Sequence, residues 1–314
     1  MAFIPAFFRQ KRLLFLMVPI VVELAFFDRF SRAGLLGPDV KTLKGRWDIA
    51  SLARLLEHKD PVVQYEAAEA LGNIGDERAV GPLINALKRH EFSGVRWKAA
   101  EALSKIGNPA VEALVATLQY PDDDVRWKAA IALGEIGNPD AVEPLIRLLS
   151  DEDRFVRSRA AQALSMIGEP AVPSLMHALR MAEPGMRWGA ALALGKIKNP
   201  LAVEPLILTL ADEQMMVRAE AAAALAAIGT PALGPLLVFL KSAKGETRVE
   251  VMTALGELKN ADAIEPLIQM LENADDSERQ AIADAIDAIL IPAIGPLVCR
   301  IRDGPPKKNT KTRK

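Results

Sequence analysis

Few residues in this chain have the types and spacing that chemistry requires. Its three histidines, His58, His90 and His177, are far apart in sequence, and the single cysteine, Cys299, has no thiol partner. The sequence contains no glycine-rich phosphate loop, no G-x-S-x-G turn and no cysteine–histidine spacing typical of a metal or nucleophile site. Its many carboxylates are spread along the chain, as on a solvated surface. We therefore predict no catalytic residue, no metal site and no cofactor.

Aromatic and cationic side chains instead recur at one position. Val-Arg-Trp-Lys occurs at 95–98 and 125–128, and Arg187-Trp188 stands at the matching place farther along. Trp and Arg are enriched at the energetic centres of protein interfaces, and cations bind over aromatic faces. We predict a strip that holds a partner peptide or helix, formed by Tyr65, Trp97, Lys98, Trp127, Lys128, Arg159 and Trp188. The alternative is that each Trp packs over its neighbour and closes the surface, while the lysines only solvate it.

An arginine stands directly before each tryptophan of this strip and at the same place in other copies of the pattern. This column consists of Arg96, Arg126, Arg157, Arg187, Arg218, Arg248 and Arg279. Acidic residues such as Asp124, Asp153 and Asp212 stand close to it in sequence, so we predict a structural ladder of Asp–Arg pairs between neighbouring repeats. Arginines paired in this way are not free to bind phosphates. With a net charge of −1, the chain is also not a basic nucleic-acid scaffold, and we expect no nucleic-acid partner.

The elements that position these residues are repeats. The phrase VRWKAAEALSKIG at 95–107 is one of eight related copies, and successive copies start 30 to 32 residues apart. Such a period is typical of stacked-repeat proteins, which bury one elongated core without internal domain boundaries. In each phrase the apolar residues have helical spacing, for example Val95, Ala99, Leu103 and Ile106. The segments between phrases, such as AVEPLIRLLS, carry a proline in the first turn of a further helix.

Each repeat is therefore predicted to have a first helix (the AVEPL-type segment) and a second helix (the phrase). Asp60, Ser93, Asp123 and Asp153 are expected to cap the second helices, and closing glycines such as Gly75 suit a left-handed residue. The linkers alternate between a longer form (GDERAV, GNPDAV, KNPLAV, KNADAI) and one a residue shorter (GNPAV, GEPAV, GTPAL, LIPAI). The structural unit is thus expected to be a pair of repeats. No segment shows the alternation of a β-strand, so the fold is predicted to be all-α.

The D-x-x-V-R-x-x-A-A-x-A-L-G-x-I-G phrase resembles the short HEAT-like repeats of phycobilin lyase subunits and deoxyhypusine hydroxylase over residues 47–303. The resemblance implies a right-handed α-solenoid of about eight repeats with a C-terminal capping helix, and places the strip on its concave side. Hydroxylases of this type hold two irons through His-Glu pairs after the Val-Arg. Here the matching positions include Trp97-Lys98 and Trp127-Lys128, and none is His-Glu. His90-Glu91, the sole such pair, precedes Val95 by five residues.

These observations favour a non-enzymatic scaffold that binds another protein in the groove. The alternative is a phycobilin-lyase-like or hydroxylase-like protein that modifies a protein substrate, since a lyase needs no metal. We expect a monomer. A sole cysteine suits a reducing compartment, so the cytoplasm is the predicted location.

The chain ends differ from the repeats. We divide the chain into an apolar and basic extension at 1–40, the repeat array at 41–303 and a disordered basic tail at 304–314. The apolar run 13–22 is too short to span a bilayer, and one interpretation is peripheral membrane contact through residues 13–27. The alternative is that Met17 is the true initiator and residues 1–16 are not translated.

Overall fold

The computed structural model describes residues 38–89 and 91–303, and every regular element within them is helical. The all-α prediction is confirmed. The apolar run 13–22, Met17, His90 and the basic tail lie outside the described residues. Within them, no single helix is long and apolar enough to cross a membrane, and one pair, Met215–Ile228 with Thr230–Ser242, reaches that length and composition only with a bend of 118°.

The chain packs as two compact units, divided between Pro144 and Leu145. In unit 1, each second helix packs on the second helix of the next repeat, α3 on α5 and α5 on α7. The helices up to the division are α1 (Pro38–Arg46), α2 (Ile49–Leu55), α3 (Pro61–Ile74), α4 (Val80–Arg89), α5 (Ser93–Ile106), α6 (Val111–Thr117) and α7 (Asp123–Ile136). The next helix, α8 (Val142–Leu148), contains the division.

Unit 2 repeats this arrangement, with α9 on α11, α11 on α13, α13 on α15 and α15 on α17. Its further helices are α9 (Arg154–Ile167), α10 (Val172–Ala178), α11 (Pro184–Ile197), α12 (Val203–Thr209), α13 (Met215–Ile228), α14 (Leu233–Ser242), α15 (Gly245–Leu258), α16 (Ile264–Met270) and α17 (Asp276–Asp303). Each unit is therefore a stack of two-helix repeats, a solenoid, with alanine and leucine in the contacts between helices.

Two of the four predicted caps are correct. Asp60 accepts from the N–H of Val62, and Asp153 accepts from those of Phe155 and Val156. The prediction for Ser93 is wrong, because Phe92 precedes α5 without a side-chain cap and the Ser93 hydroxyl accepts from Lys128. Asp123 lies one residue inside α7, which is capped by Asp122.

The two linker lengths correspond to two backbone conformations. In the longer linkers the residue after the second helix is left-handed, with φ/ψ of 74°/17° at Gly75 and 60°/30° at Lys198. In the shorter linkers it is extended with positive φ, as at Gly107 (82°/−140°), a region that only glycine occupies readily. Lysine can therefore replace glycine in a longer linker, whereas the three short linkers that turn in this way all retain glycine.

The end of the array differs from the prediction. A short linker at 290–294 and a separate capping helix were expected, but α17 continues from Asp276 to Asp303. Leu290 stands where the other short linkers have glycine. Because a leucine side chain disfavours the positive φ that ends those helices, the helix continues.

Close contacts between neighbouring second helices occur at three glycines that share one position of the repeat. A Cβ atom built on Gly72, Gly195 or Gly256 would lie 2.6 to 2.8 Å from the Cα atom of an alanine on the next second helix. The intervening repeats have Ser104, Ser165 or Ala226 at this position. The alternation between successive repeats thus affects the packing of the second helices as well as the length of the linkers.

Gly195→Ala is expected to lower the free energy of unfolding by about 1–3 kcal/mol, the usual effect of overpacking. Its new methyl group would meet Ala224 at 2.8 Å. Gly234→Ala is the matched control, because no atom lies within 4 Å of its Cβ position, and it should be neutral or stabilising by up to about 1 kcal/mol. Urea denaturation measures both, and equal midpoints for the two variants would contradict the close contact.

Candidate functional site

Three aromatic side chains lie on consecutive second helices of unit 1. Tyr65 is on α3, Trp97 on α5 and Trp127 on α7, and each is partly exposed. The two indole rings lie 5.8 Å apart between centroids, with their planes inclined by 36°, within the range of favourable aromatic pairs. We call Tyr65, Trp97 and Trp127 the aromatic strip. The tryptophans of neighbouring repeats thus contact each other, and both still reach solvent.

Lys98 and Lys128 were predicted to contact a partner beside the tryptophans, but the structure buries both side chains. Lys98 is 7% exposed; its Nζ lies 2.7 Å from Glu101, 3.6 Å from Glu69 and 4.8 Å from the centroid of the Tyr65 ring. Burial favours the neutral amine, but the interactions with Glu101 and Tyr65 together outweigh it and raise the pKa of Lys98. Its cation–π contact is therefore internal.

Lys128 is buried more deeply, at 1% exposure. Its Nζ lies 4.3 Å from the centroid of the Trp127 ring, donates to Ser93 Oγ at 3.0 Å and forms an ion pair with Asp124. Neither lysine is exposed enough to bind a partner, as the first interpretation required, and neither is a solvent-exposed surface group, as the alternative required. Each ammonium group instead supports an aromatic ring from within unit 1.

Asp124 connects these groups. Oδ1 accepts hydrogen bonds from Lys128 and from the indole N–H of Trp127, at 3.2 Å for the indole. Oδ2 accepts from Arg96 at 3.1 Å. One carboxylate therefore fixes the Trp127 ring, neutralises the buried lysine and joins α7 to α5.

In unit 2, Arg159 and Trp188 have different partners. The Arg159 guanidinium lies 4.6 Å from the Phe155 ring centroid and donates to Gln162 at 2.8 Å, and burial lowers its pKa. The Trp188 indole donates to Glu220 at 3.0 Å. Gly189 replaces the buried lysine of unit 1, and a Cβ there would lie 2.7 Å from Leu149.

The arginine column makes two kinds of contact. Arg126, Arg157, Arg187 and Arg218 each donate to two backbone carbonyls five and six residues earlier. These bonds satisfy carbonyl groups in the turn between the two helices of one repeat.

Several arginines also pair with acids of the following repeat. The pairs are Arg96 with Asp122 and Asp124, Arg187 with Asp212, Arg218 with Glu246 and Glu250, and Arg248 with Glu278. Burial opposes ionisation of Asp212, but the hydrogen bonds from Arg187 and from the N–H of Gln214 outweigh it and lower its pKa. Asp153, which was predicted to pair with an arginine of a neighbouring repeat, instead caps its own helix. Arg279 lies 4.0 Å from Asp276 within α17.

Carboxylates border the aromatic strip. Glu69 and Glu101 lie beside Lys98, and Asp122 precedes Asp124 at the start of α7. Glu101 is also 2.8 Å from Lys105. Burial raises its pKa, but the bonds from Lys105 and Lys98 lower it further than burial raises it. The strip thus combines partly exposed aromatic side chains with a border of partly exposed carboxylates.

Sequence reasoning missed the buried role of the two lysines. A signal existed, because Asp124 and Lys128 are four residues apart on one helix, the spacing of a helical ion pair. The Ser93 contact had no such signal, since Ser93 and Lys128 are 35 residues apart. Among the described residues, no group of three or more His, Cys, Asp or Glu side chains is placed to hold a metal ion.

Comparisons with known proteins give one family and several similar structures. A family model described as HEAT repeats matches residues 49–124, 111–185, 172–247 and 203–287, whereas the comparison with curated proteins found no match. An engineered protein is 25% identical with a TM-score of 0.34, covering 83% of this chain and 84% of that chain. The complex of CpcE and CpcF of phycocyanin lyase from Nostoc sp. PCC7120 is 24% identical with a TM-score of 0.37, covering 77% and 94%.

A Kap121p mutant has a TM-score of 0.51 at 12% identity, covering 84% of this chain and 37% of that chain. At this identity the likeness concerns the fold alone.

Proposed function

Because the chain belongs to the HEAT-repeat family, whose model matches within residues 49–287, we propose that it is a scaffold that binds a segment of another protein over the aromatic strip of unit 1. HEAT-repeat solenoids are typical of protein-interaction scaffolds. The observation that carries the proposal is the pair of Trp97 and Trp127, which are in contact and still partly exposed.

The strip is held in position before any partner arrives. The Trp127 indole N–H is bonded to Asp124, and the buried Lys128 ammonium lies against its ring. Ordering side chains at an interface usually weakens binding, and anchors that are already fixed avoid most of that loss. Large rigid aromatic side chains are also the residues most often dominant in binding energy.

The surroundings of the strip define the chemistry of the partner. The described carboxylates at its border, Glu69, Glu101 and Asp122, are partly or fully exposed, while the two lysines are buried. A partner segment should therefore present apolar side chains to the indole rings and basic side chains to the border. Complementary charge at such a rim mainly increases the association rate and the specificity.

The test compares partner capture by three forms of the full chain. Trp97→Ala/Trp127→Ala removes both indoles, whereas the matched control Trp47→Ala removes a tryptophan that is 67% exposed and outside the strip. Affinity purification from native cells followed by mass spectrometry identifies the candidate partner. Titration of the purified partner then measures affinity, which should fall at least about 100-fold in the double variant, as for two hot-spot residues.

Unchanged affinity in the double variant would refute the strip as the binding surface. Circular dichroism must show the same helical content in all forms. If the double alanine variant loses its helices, Trp97→Phe/Trp127→Phe replaces it. Phenylalanine is closer in volume to tryptophan than alanine is, and it removes the indole N–H groups. The charge of the partner is tested with Glu69→Lys and Glu101→Lys. If the partner binds these variants with wild-type affinity, the proposal that it presents basic side chains to the border is contradicted.

A further inference from the structure

A polar crevice lies between the first helices α2 and α4 of unit 1. It has a volume of about 400 Å³, and its polar lining consists of Arg54, Glu57, Gln64, Asn85 and Arg89. Among the described lining residues Glu57 is the one carboxylate and Arg54 and Arg89 are the two cations, so the lining has a net positive charge. Its volume falls in the range of pockets that bind small ligands.

The matching crevice of unit 2, between α10 and α12, is about half as large, at about 210 Å³. Gln64 stands at the position of Arg187 in its repeat, and Arg89 stands at the position of Asp212. In unit 2, Arg187 donates to Asp212 at 2.6 and 2.9 Å. At the crevice of unit 1, glutamine replaces the arginine of that ion pair and an arginine replaces its acid.

Gln64 retains only part of the role of the arginine column. Its Nε2 donates to the carbonyl of His58, six residues earlier, as Arg187 does to Met181. Its Oε1 is buried and has no hydrogen-bond partner, and the whole residue is 8% exposed. Buried amide oxygens are nearly always paired, so this acceptor on the crevice wall indicates a missing N–H or O–H donor.

The two arginines define the other part of the ligand. Both are exposed; Arg54 donates to Ser51 at 2.9 Å, and within the described residues Arg89 makes no ion pair. Guanidinium groups bind phosphate oxygens in bidentate geometry. A ligand that fits the crevice therefore has an anionic group with several oxygens next to a hydrogen-bond donor.

We propose that this crevice binds a phosphoserine or phosphothreonine residue of a partner protein. The phosphate group is bound by Arg54 and Arg89. Gln64 Oε1, which is buried in the free chain, accepts a backbone N–H of the same peptide after the Gln64 side chain rotates toward the crevice. The crevice volume leaves room for the peptide beside its phosphate. The proposal is independent of the aromatic strip, so Trp97→Ala/Trp127→Ala should leave this binding unchanged.

The test is calorimetric titration of the full chain with a short alanine-based peptide that contains one phosphoserine, and with the same peptide without phosphate. Inorganic phosphate and free O-phosphoserine are the other two probes. We expect saturable binding of the phosphopeptide, binding at least about tenfold weaker for both small phosphates, and none for the unphosphorylated peptide. Equal affinity for inorganic phosphate and phosphopeptide would overturn the peptide part of the proposal, and no binding of any phosphate would overturn it entirely.

Two variants assign the binding to the crevice. Gln64→Arg/Arg89→Asp recreates the Arg187–Asp212 arrangement, and it should abolish binding while keeping or raising the thermal midpoint. Gln64→Leu removes the acceptor and should weaken binding about tenfold. The matched control Arg46→Ala removes an exposed arginine outside the crevice and should change nothing. Phosphopeptide affinity that persists in the double variant would contradict the site.

Discussion

Asp124→Ala is expected to lower the free energy of unfolding by about 3–5 kcal/mol, the loss typical of breaking a buried ion pair on one side. The substitution removes the Asp124 carboxylate from the Lys128 ammonium, which is 1% exposed and also donates to Ser93 Oγ. It also removes the acceptor of the Trp127 indole and one acceptor of Arg96. Chemical denaturation gives the change in free energy, and tryptophan fluorescence reports the loosened Trp127 ring.

The control variants separate the ion pair from the helix start. Asp123→Ala removes the neighbouring exposed carboxylate of the same first turn and should cost less than about 1 kcal/mol. Asp124→Ala/Lys128→Met removes both charges and should recover most of the loss, because an apolar side chain tolerates burial without a partner. If Asp124→Ala is no more destabilising than Asp123→Ala, Lys128 is not buried as described.

Arg187→Ala is expected to cost about 3 kcal/mol of stability, since hydrogen bonds to charged groups contribute about 1.5–3 kcal/mol each to stability and their losses are not additive. The side chain bonds Asp212 twice and the carbonyls of Met181 and Ala182 once each. The Asp212 side chain, 8% exposed, would lose this partner. The exposed Arg154 provides the matched control, and Arg154→Ala should change stability by less than about 0.5 kcal/mol.

The same variant has a distinct pH dependence. The pKa of Asp212 is below its ordinary value of 3.8 in the folded chain, so its pair with Arg187 stabilises fully above that value. This contribution is lost as the pH falls through the lowered pKa, because protons then bind more readily to the unfolded chain. Below about pH 4, wild-type stability should therefore fall more steeply than that of Arg187→Ala. Parallel curves would contradict the pairing.

Much of the fold follows from local sequence signals. The eightfold phrase predicts the second helices, the prolines of the AVEPL-type segments predict the first helices, and Asp60 and Asp153 predict helix starts. The linker lengths predict pairs of repeats. Where local signals were weak the predictions were wrong: Ser93 is not a cap, and Leu290 does not end its helix. The Ser93 outcome depends on its contact with Lys128, 35 residues away, whereas the Leu290 outcome follows from a leucine at a position where the other short linkers have glycine.

The candidate sites needed the tertiary structure. The sequence by itself determined the repeat, its helices and the columns of Trp, Lys and Arg, because helical periodicity and turn chemistry are properties of a few neighbouring residues. Only the tertiary structure decided that Lys98 and Lys128 are buried beneath the strip and that Gln64 leaves a crevice open beside Arg89. The physical reason is that the charge and burial at one position are set by residues about 25 to 35 positions away, which only the packing of successive repeats brings into contact.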